Sequence, residues 1–424
     1  MVNKKKNRLT ERDLYKLSEK ELYSKICVAQ SIKPVVNEAR NEVVDDIDKN
    51  CKLLSCSLAT IFARDREVIA VKLKISDGYI AYISKNGPWL DKDVVYINKI
   101  EEYLRNMSKD SSKKSKANPD ALTSEVLSYC SNKLESRIKK LKKDLTRKPD
   151  KEYIKSFIKY ASAKLEEFDP KKLNDVDKSK ISVLCHDYYK QLDGIKKSET
   201  PQKFLGHLRK VGSYVASAII LSDRASDIKY KNLFSNIELR MIKPIIITNN
   251  QPIYSWEYVI KSFVRNHVDY VRFKDECLDN EHIVRRLRKV YSDGTGQLKL
   301  DNRNIETHVY IHAELNILAS MIDQEDKSKT FIAVSKRCCY LCEQYIGFLR
   351  KQGYDIIISG EHGKIYLGWK LPQVASINFR IRSLNYLLEK LGRVIERKIN
   401  YQTRSLDADS DSNVSDSLWE IQQD

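Results

Sequence analysis

A chain of 424 residues, 42% hydrophobic and 32% charged, holds enough apolar sequence for two or three buried cores and excludes a wholly disordered polymer. Its apolar runs, such as Val215–Leu221, are far shorter than the roughly 20 residues of a membrane-spanning helix. The net charge of +18 favours an anionic partner, nucleic acid first; the alternative is a generally Lys-rich composition, which the spread of Lys along the whole chain supports.

Met1–Arg8 is basic with no apolar stretch behind it, so it reads as a solvated terminus rather than a secretory leader, and an intracellular chain is expected, cytoplasmic or nuclear. Of nine cysteines, Cys27, Cys51, Cys56, Cys130, Cys185 and Cys277 are scattered, whereas Cys338, Cys339 and Cys342 cluster. In a reducing compartment clustered cysteines point to a metal rather than to disulfides. Leu14, Leu17, Leu22 and Ile26 recur at helical spacing and predict core positions. A second helix is predicted over Asp48–Ala63, with Leu53, Leu54, Leu58 and Ile61 inward.

The period then changes to two. Val68–Ile75 and Tyr79–Ser84, joined by Ser76-Asp77-Gly78, predict a β-hairpin stopped by Lys85-Asn86-Gly87-Pro88. A short helix near Val95–Met107 and a solvated loop at Ser108–Lys116 follow. From Pro119 to about Met241 nearly everything is helical. Val126, Cys130, Leu134, Ile138, Leu141 and Leu145 form one apolar stripe, opposite Lys133, Arg137, Lys139, Lys140, Lys142 and Lys143. That basic face reads first as solvated helix and second as a phosphate-contacting surface.

Pro244–Thr248 is strand-like and Asn249-Asn250-Gln251-Pro252 should break it. Helices are predicted over Trp256–His267, His282–Tyr291, His312 to about Met321, Cys339–Gln352 and Val374–Ile399, and short strands over Val309–Ile311, Thr330–Ser335, Tyr354–Gly360 and Lys364–Trp369. Beyond Tyr401, serines and aspartates predict a disordered acidic tail that folds back on the basic body.

Two stretches carry chemistry. Thr307–Glu314 ends in His312-Ala313-Glu314 at a helix start, and Ser335–Cys342 ends in Cys339-Tyr340-Leu341-Cys342 at the next. His312, Cys339 and Cys342 make a three-ligand zinc set that leaves a fourth position for water. Glu314, on the same first turn as His312, is placed to act as general acid and base. The alternatives are a core histidine beside buried thiols, or a structural zinc completed by Cys338 or His308.

These residues resemble the cytidine-deaminase-like superfamily of zinc deaminases, and within it a toxin-related branch expanded in fungi and also found in bacteria. The resemblance rests on Ile311–Glu314, on Ser335–Cys342 and on His362-Gly363-Lys364-Ile365-Tyr366 followed by Trp369 and Pro372. Most members carry Pro before the first ligand Cys, whereas this chain has Cys338. The resemblance implies an α/β fold, a three-layer α-β-α core with a large, mainly helical addition. With the N-terminal helices over 1–64 and the tail over 401–424 read from the residues, it implies core hairpin strands over 65–96, a helical insertion over 97–300 and the zinc motifs over 301–400. A rival arrangement starts a compact C-terminal domain near Ile245. The implied cofactor is Zn2+, and the implied substrate-contacting residues are Asn86, Ala313, Lys336, His362 and Lys364, although Asn86 also suits a turn and His362-Gly363 a hairpin. The implied activity is hydrolytic deamination of cytosine or adenine. Basic charge favours single-stranded nucleic acid as the substrate, with a free nucleoside or nucleotide, or a non-catalytic zinc-stabilised interaction module, as the other readings.

Overall fold

The computed structural model describes residues 10–36, 48–75, 77–109, 119–165, 168–192, 194–243, 248–264 and 266–408. The basic N-terminal run, most of the Ser108–Lys116 loop, residues 244–247 and the tail from 409 lie outside the described residues. In chain order the strands are β1 (Ile69–Ile75), β2 (Tyr79–Lys85), β3 (Glu238–Met241), β4 (Thr248–Ile253), β5 (Ile305–Val309), β6 (Thr330–Val334) and β7 (Ile356–Ile358). The helices are α1 (Glu11–Ile32), α2 (Lys49–Ile61), α3 (Asp91–Lys109), α4 (Pro119–Tyr129), α5 (Ser131–Arg147), α6 (Glu152–Lys164), α7 (Lys178–Gln191), α8 (Gly194–Glu199), α9 (Gln202–Ser226) and α10 (Lys231–Ser235). They continue with α11 (Trp256–Lys261), α12 (His267–Asp279), α13 (Glu281–Tyr291), α14 (Ala313–Asp323), α15 (Tyr340–Lys351) and α16 (Ile377–Ala408).

The expected hairpin is present, with Ile69 opposite Lys85 and Ile75 opposite Tyr79. Gly78 at its turn abuts Asn236, whose carbonyl oxygen would stand 2.4 Å from an added Cβ, so only glycine fits. The five-stranded sheet runs β3-β2-β1-β6-β7. β1 is antiparallel to β2 and β6, whereas β2–β3 and β6–β7 are parallel pairs.

Strand alternation sorts the apolar side chains into two cores. Ala70, Ile332, Ile356 and Ile358 join the core built with α1, α14, α15 and α16. Ile69, Val71, Ala81, Ile83, Phe331, Ala333 and Ile357 join the core built with α2 to α7, α9 and α10. The sheet is therefore the middle layer of an α-β-α arrangement, with the long helical region on one face. The predicted stripe from Val126 to Leu145 is buried along its whole length against that region.

Several local expectations are corrected. Leu14 and Leu17 are 52% and 45% exposed, because α1 buries its C-terminal half, from Leu22 to Ile32, against α16 and the core. The helical stretch ends before Met241, where β3 adds to the sheet edge in parallel with β2. Asn249–Pro252 does not end a strand; it lies within β4, which pairs with β5 across a register shift, with Asn250 at φ 66°. Lys364–Trp369 forms no strand, only single bridges from Lys364 to Val35 and from Trp369 to Tyr310. Beyond Tyr401, where a disordered tail is expected, α16 continues to Ala408, and the rest of that expectation lies outside the described residues. Among the described residues no helix is long and apolar enough to cross a membrane.

One ion pair ties the central strand to the far end of α14. Lys72 of β1 donates to Asp326 at 2.6 Å, and the Ser328 amide and hydroxyl donate to the other carboxylate oxygen. Burial raises the Asp326 pKa, but the Lys72 and Ser328 hydrogen bonds outweigh it and bring the group from 3.8 to about 2. Because the folded value is depressed, the stabilisation is fully present above 3.8 and fades as pH falls towards 2. Urea titrations should show Asp326→Asn less stable than wild type at neutral pH, with the gap closing near pH 2. A gap that stays constant with pH would contradict this.

Candidate metal centre

The site is built where two helices begin. β5 leads through Tyr310 to His312, the N-cap of α14, and β6 leads through Ser335 to Cys339, the N-cap of α15. The chain before His312 is clamped on both sides of Tyr310, whose amide donates to Gly368 at 2.7 Å and whose carbonyl accepts from Lys370 at 3.0 Å. Gly368 sits at φ 79°, and an added Cβ would lie 2.8 Å from the His308 carbonyl oxygen. On the other side, the Cys338 amide donates to Gly360 and its carbonyl accepts from the His362 amide, so the segment after β7 holds the cysteine loop.

These constraints bring three donor atoms together. His312 Nδ1 lies 3.5 Å from Cys339 Sγ and 3.3 Å from Cys342 Sγ. Cys339 Sγ also accepts from the Cys342 amide at 3.5 Å, an interaction suited to sulfur at a helix N-terminus, where the backbone dipole favours negative charge. The three ligating atoms lie within 4.8 Å of one another, and among the described residues no fourth His, Cys or carboxylate joins them. His308, which sequence offered as a fourth ligand, is not in that group.

Glu314 is 2% exposed and forms a second cluster with Cys338 and Cys342, again within 4.8 Å. The two clusters share Cys342, which places the carboxylate beside the donor set while leaving Cys338 out of it. Burial pushes the Cys339 and Cys342 thiols well above the ordinary thiol range. Burial also pulls the His312 imidazole down, but the Cys339 sulfur and Glu314 more than restore it. Donors of this kind fit a thiophilic divalent cation, whose binding displaces their protons.

The other anticipated residues surround this centre at differing depths. Ala313 is buried in the first turn of α14. Lys336 donates to the Arg66 carbonyl at 2.6 Å. His362 Nδ1 accepts from the Lys364 amide at 3.1 Å, and its Nε2 lies 3.4 Å from the Tyr366 hydroxyl. Lys364 is exposed, and its carbonyl accepts from the Tyr340 amide opening α15. Asn86 uses its side-chain oxygen to accept from the Val68 amide at 2.7 Å, so it closes the base of the hairpin. Beside it, the Lys85 carbonyl accepts from Asn316 of α14 at 3.3 Å.

Three neighbours of the donor set have roles that sequence reasoning missed. Trp369, fully buried, donates its indole N–H to Cys342 Sγ at 3.2 Å. Tyr310 and Tyr366 flank the His312 ring with centroid distances of 5.5 and 6.3 Å. Twenty-four tyrosines give no local clue to which two would do so.

Comparison with known proteins agrees with this local picture. Residues 311–373 match the model of a family described as OTT_1508_deam-like deaminase, a stretch that includes His312, Glu314, Cys339, Cys342, His362 and Lys364. No curated protein and no solved structure matches the chain. Residues 311–373 are thus similar to a deaminase domain of a cytidine-deaminase-like family.

Proposed function

We propose that this protein is a zinc-dependent hydrolytic deaminase of a nucleobase, cytosine or adenine, acting on single-stranded nucleic acid. The observation that carries the reading is the convergence of His312, Cys339 and Cys342 at two helix N-termini with the buried Glu314 carboxylate alongside. His312, Cys339 and Cys342 would hold the ion, which would supply a bound water of lowered pKa. Glu314 would take one proton from the attacking water and pass it to the ring nitrogen, then take the second proton from the newly added hydroxyl and pass it to the amine, which leaves as ammonia as the C–N bond breaks and the carbonyl forms. Tyr310 and Tyr366 offer aromatic faces on which a base can stack beside His312. Ala313, Lys336, His362, Lys364 and Asn86 are assigned to substrate contact, Asn86 by position at the hairpin end facing α14.

The cysteine loop and the His-Gly-Lys segment support membership of the toxin-related branch. We read residues 97–300 as an insertion between the core hairpin and the zinc helix, and its bulk and charge favour a polymer over a free nucleoside. The test is ammonia release, with base conversion read by sequencing, on random pools of single-stranded DNA and RNA and on free nucleosides. Conversion within a polymer, lost in Glu314→Gln, is expected. Conversion of nucleosides alone would replace the polymer reading, and inactivity on every substrate by the zinc-loaded chain would contradict the enzyme.

A further inference from the structure

A cleft of about 940 Å³ lies between the long helical region and the cysteine loop. One wall comes from α5 and α9, with Lys133, Arg137, Lys140 and Lys210, and the other from Lys336 and Arg337 before the ligand cysteines. His362 also lines the cleft, its ring 5.5 Å from Tyr366, which in turn lies 6.3 Å from His312. Asp65 also lines the cleft, and Glu67 acts on both Lys133 and Lys336, so the acids present are fewer than the cations.

The centre of this cluster is unbalanced. Lys133 Nζ is buried and has no hydrogen-bond partner among the described residues. Burial, then the neighbouring Arg137 and Lys336, pull its pKa down to about 8. Lys210 is lowered by burial and by Lys140, Arg137, Arg209 and Arg337. Arg137 is fixed by donating to the Lys210 carbonyl at 2.6 Å and to Ser213 at 2.9 Å, with its guanidinium 4.6 Å from the Tyr214 ring centroid. A held array of mutually repelling cations around an unpartnered ammonium is unfavourable until anions enter between them.

We propose that this cleft binds the phosphodiester backbone of a single-stranded polynucleotide, with Lys133 at its centre, and so leads the target base past His362 and Tyr366 to the metal site. The choice of strand over a single phosphate rests on the number and spread of the cations and on the cleft's size. The base's destination rests on the deaminase reading; backbone binding does not.

The test is fluorescence anisotropy with the zinc-loaded full chain, a labelled single-stranded oligonucleotide and a labelled mononucleotide over a salt series. Lys133→Met keeps the volume and removes the buried charge, so it should melt no lower than wild type. It should bind the oligonucleotide roughly tenfold or more weakly. Its salt dependence should be shallower by about 0.7 in log–log slope for each phosphate that is no longer neutralised. Should Lys133→Met fail to fold, Lys140→Gln combined with Lys336→Gln carries the same expectation. Unchanged oligonucleotide affinity in a folded variant would overturn the proposal, as would wild-type binding of the mononucleotide as tight as of the oligonucleotide. Weakened binding in the cleft variants, with no deamination by any form, would sink the deaminase reading and leave the cleft. Deamination with unaltered oligonucleotide binding would do the reverse.

Discussion

Glu314→Gln should turn over substrate roughly 10² to 10⁴-fold more slowly than wild type while retaining the same zinc content. The substitution keeps shape and volume at a site only 2% exposed, so the fold around it has no reason to rearrange. What it removes is the ability to accept a proton. The carboxylate lies in a cluster with Cys342 rather than among the three ligand donors, so metal retention should not depend on it. The loss should appear in kcat, because the proton moves only in the transition state. A variant within tenfold of wild type at full zinc occupancy would show that another group carries the proton.

The second large effect concerns stability. Asp93 is fully buried in the first turn of α3 and gathers Lys85 at 2.7 Å, Arg64 at 3.4 Å, the Tyr129 hydroxyl at 2.9 Å and the Leu90 amide at 3.1 Å. Lys85 ends β2, and its carbonyl is the one that anchors Asn316 of α14, so the network joins the helical region to the hairpin and to the helix carrying Glu314. Asp93→Ala leaves the buried Lys85 ammonium without its counter-charge and leaves Arg64 with Glu67 alone, at 3.8 Å, a change that costs about 3–5 kcal/mol. Set against total stabilities of roughly 5–15 kcal/mol, that is a large share. Urea unfolding at neutral pH measures it, and replacing Lys85 with Met in the same background should recover part of the loss. A single-variant effect under about 1 kcal/mol would place the network with ordinary surface pairs.

The legible parts of the chain were those whose cause is local. Alternating apolar residues on either side of Ser76-Asp77-Gly78 carry the hairpin signal within the segment itself, and His312-Ala313-Glu314 and Cys339–Cys342 are informative in combination, each beside the local pattern of a strand running into a helix. The illegible parts depend on partners far along the chain. Leu14 and Leu17 keep helical spacing yet face solvent, because what α1 meets is decided by α16. β3 is a strand because β2 offers it an edge, and β4 extends through Asn-Asn-Gln-Pro because β5 lies beside it and a bulge absorbs the turn-forming residues. The role of Trp369 depends on a sulfur in another element. Nor does the period of α5 reveal that Lys133 on its charged face becomes a buried ammonium, since that requires α9 and the cysteine loop to close over it.

The most direct test of the central claim is metal analysis of the purified full chain beside Cys342→Ser. The structure brings Cys342 Sγ within 3.3 Å of His312 Nδ1 and under the Trp369 indole, at the heart of the donor set. One tightly held zinc per wild-type chain, and loss of that zinc in Cys342→Ser, is the predicted result. A wild-type chain that holds no zinc, or a variant that holds as much as wild type, would contradict the account.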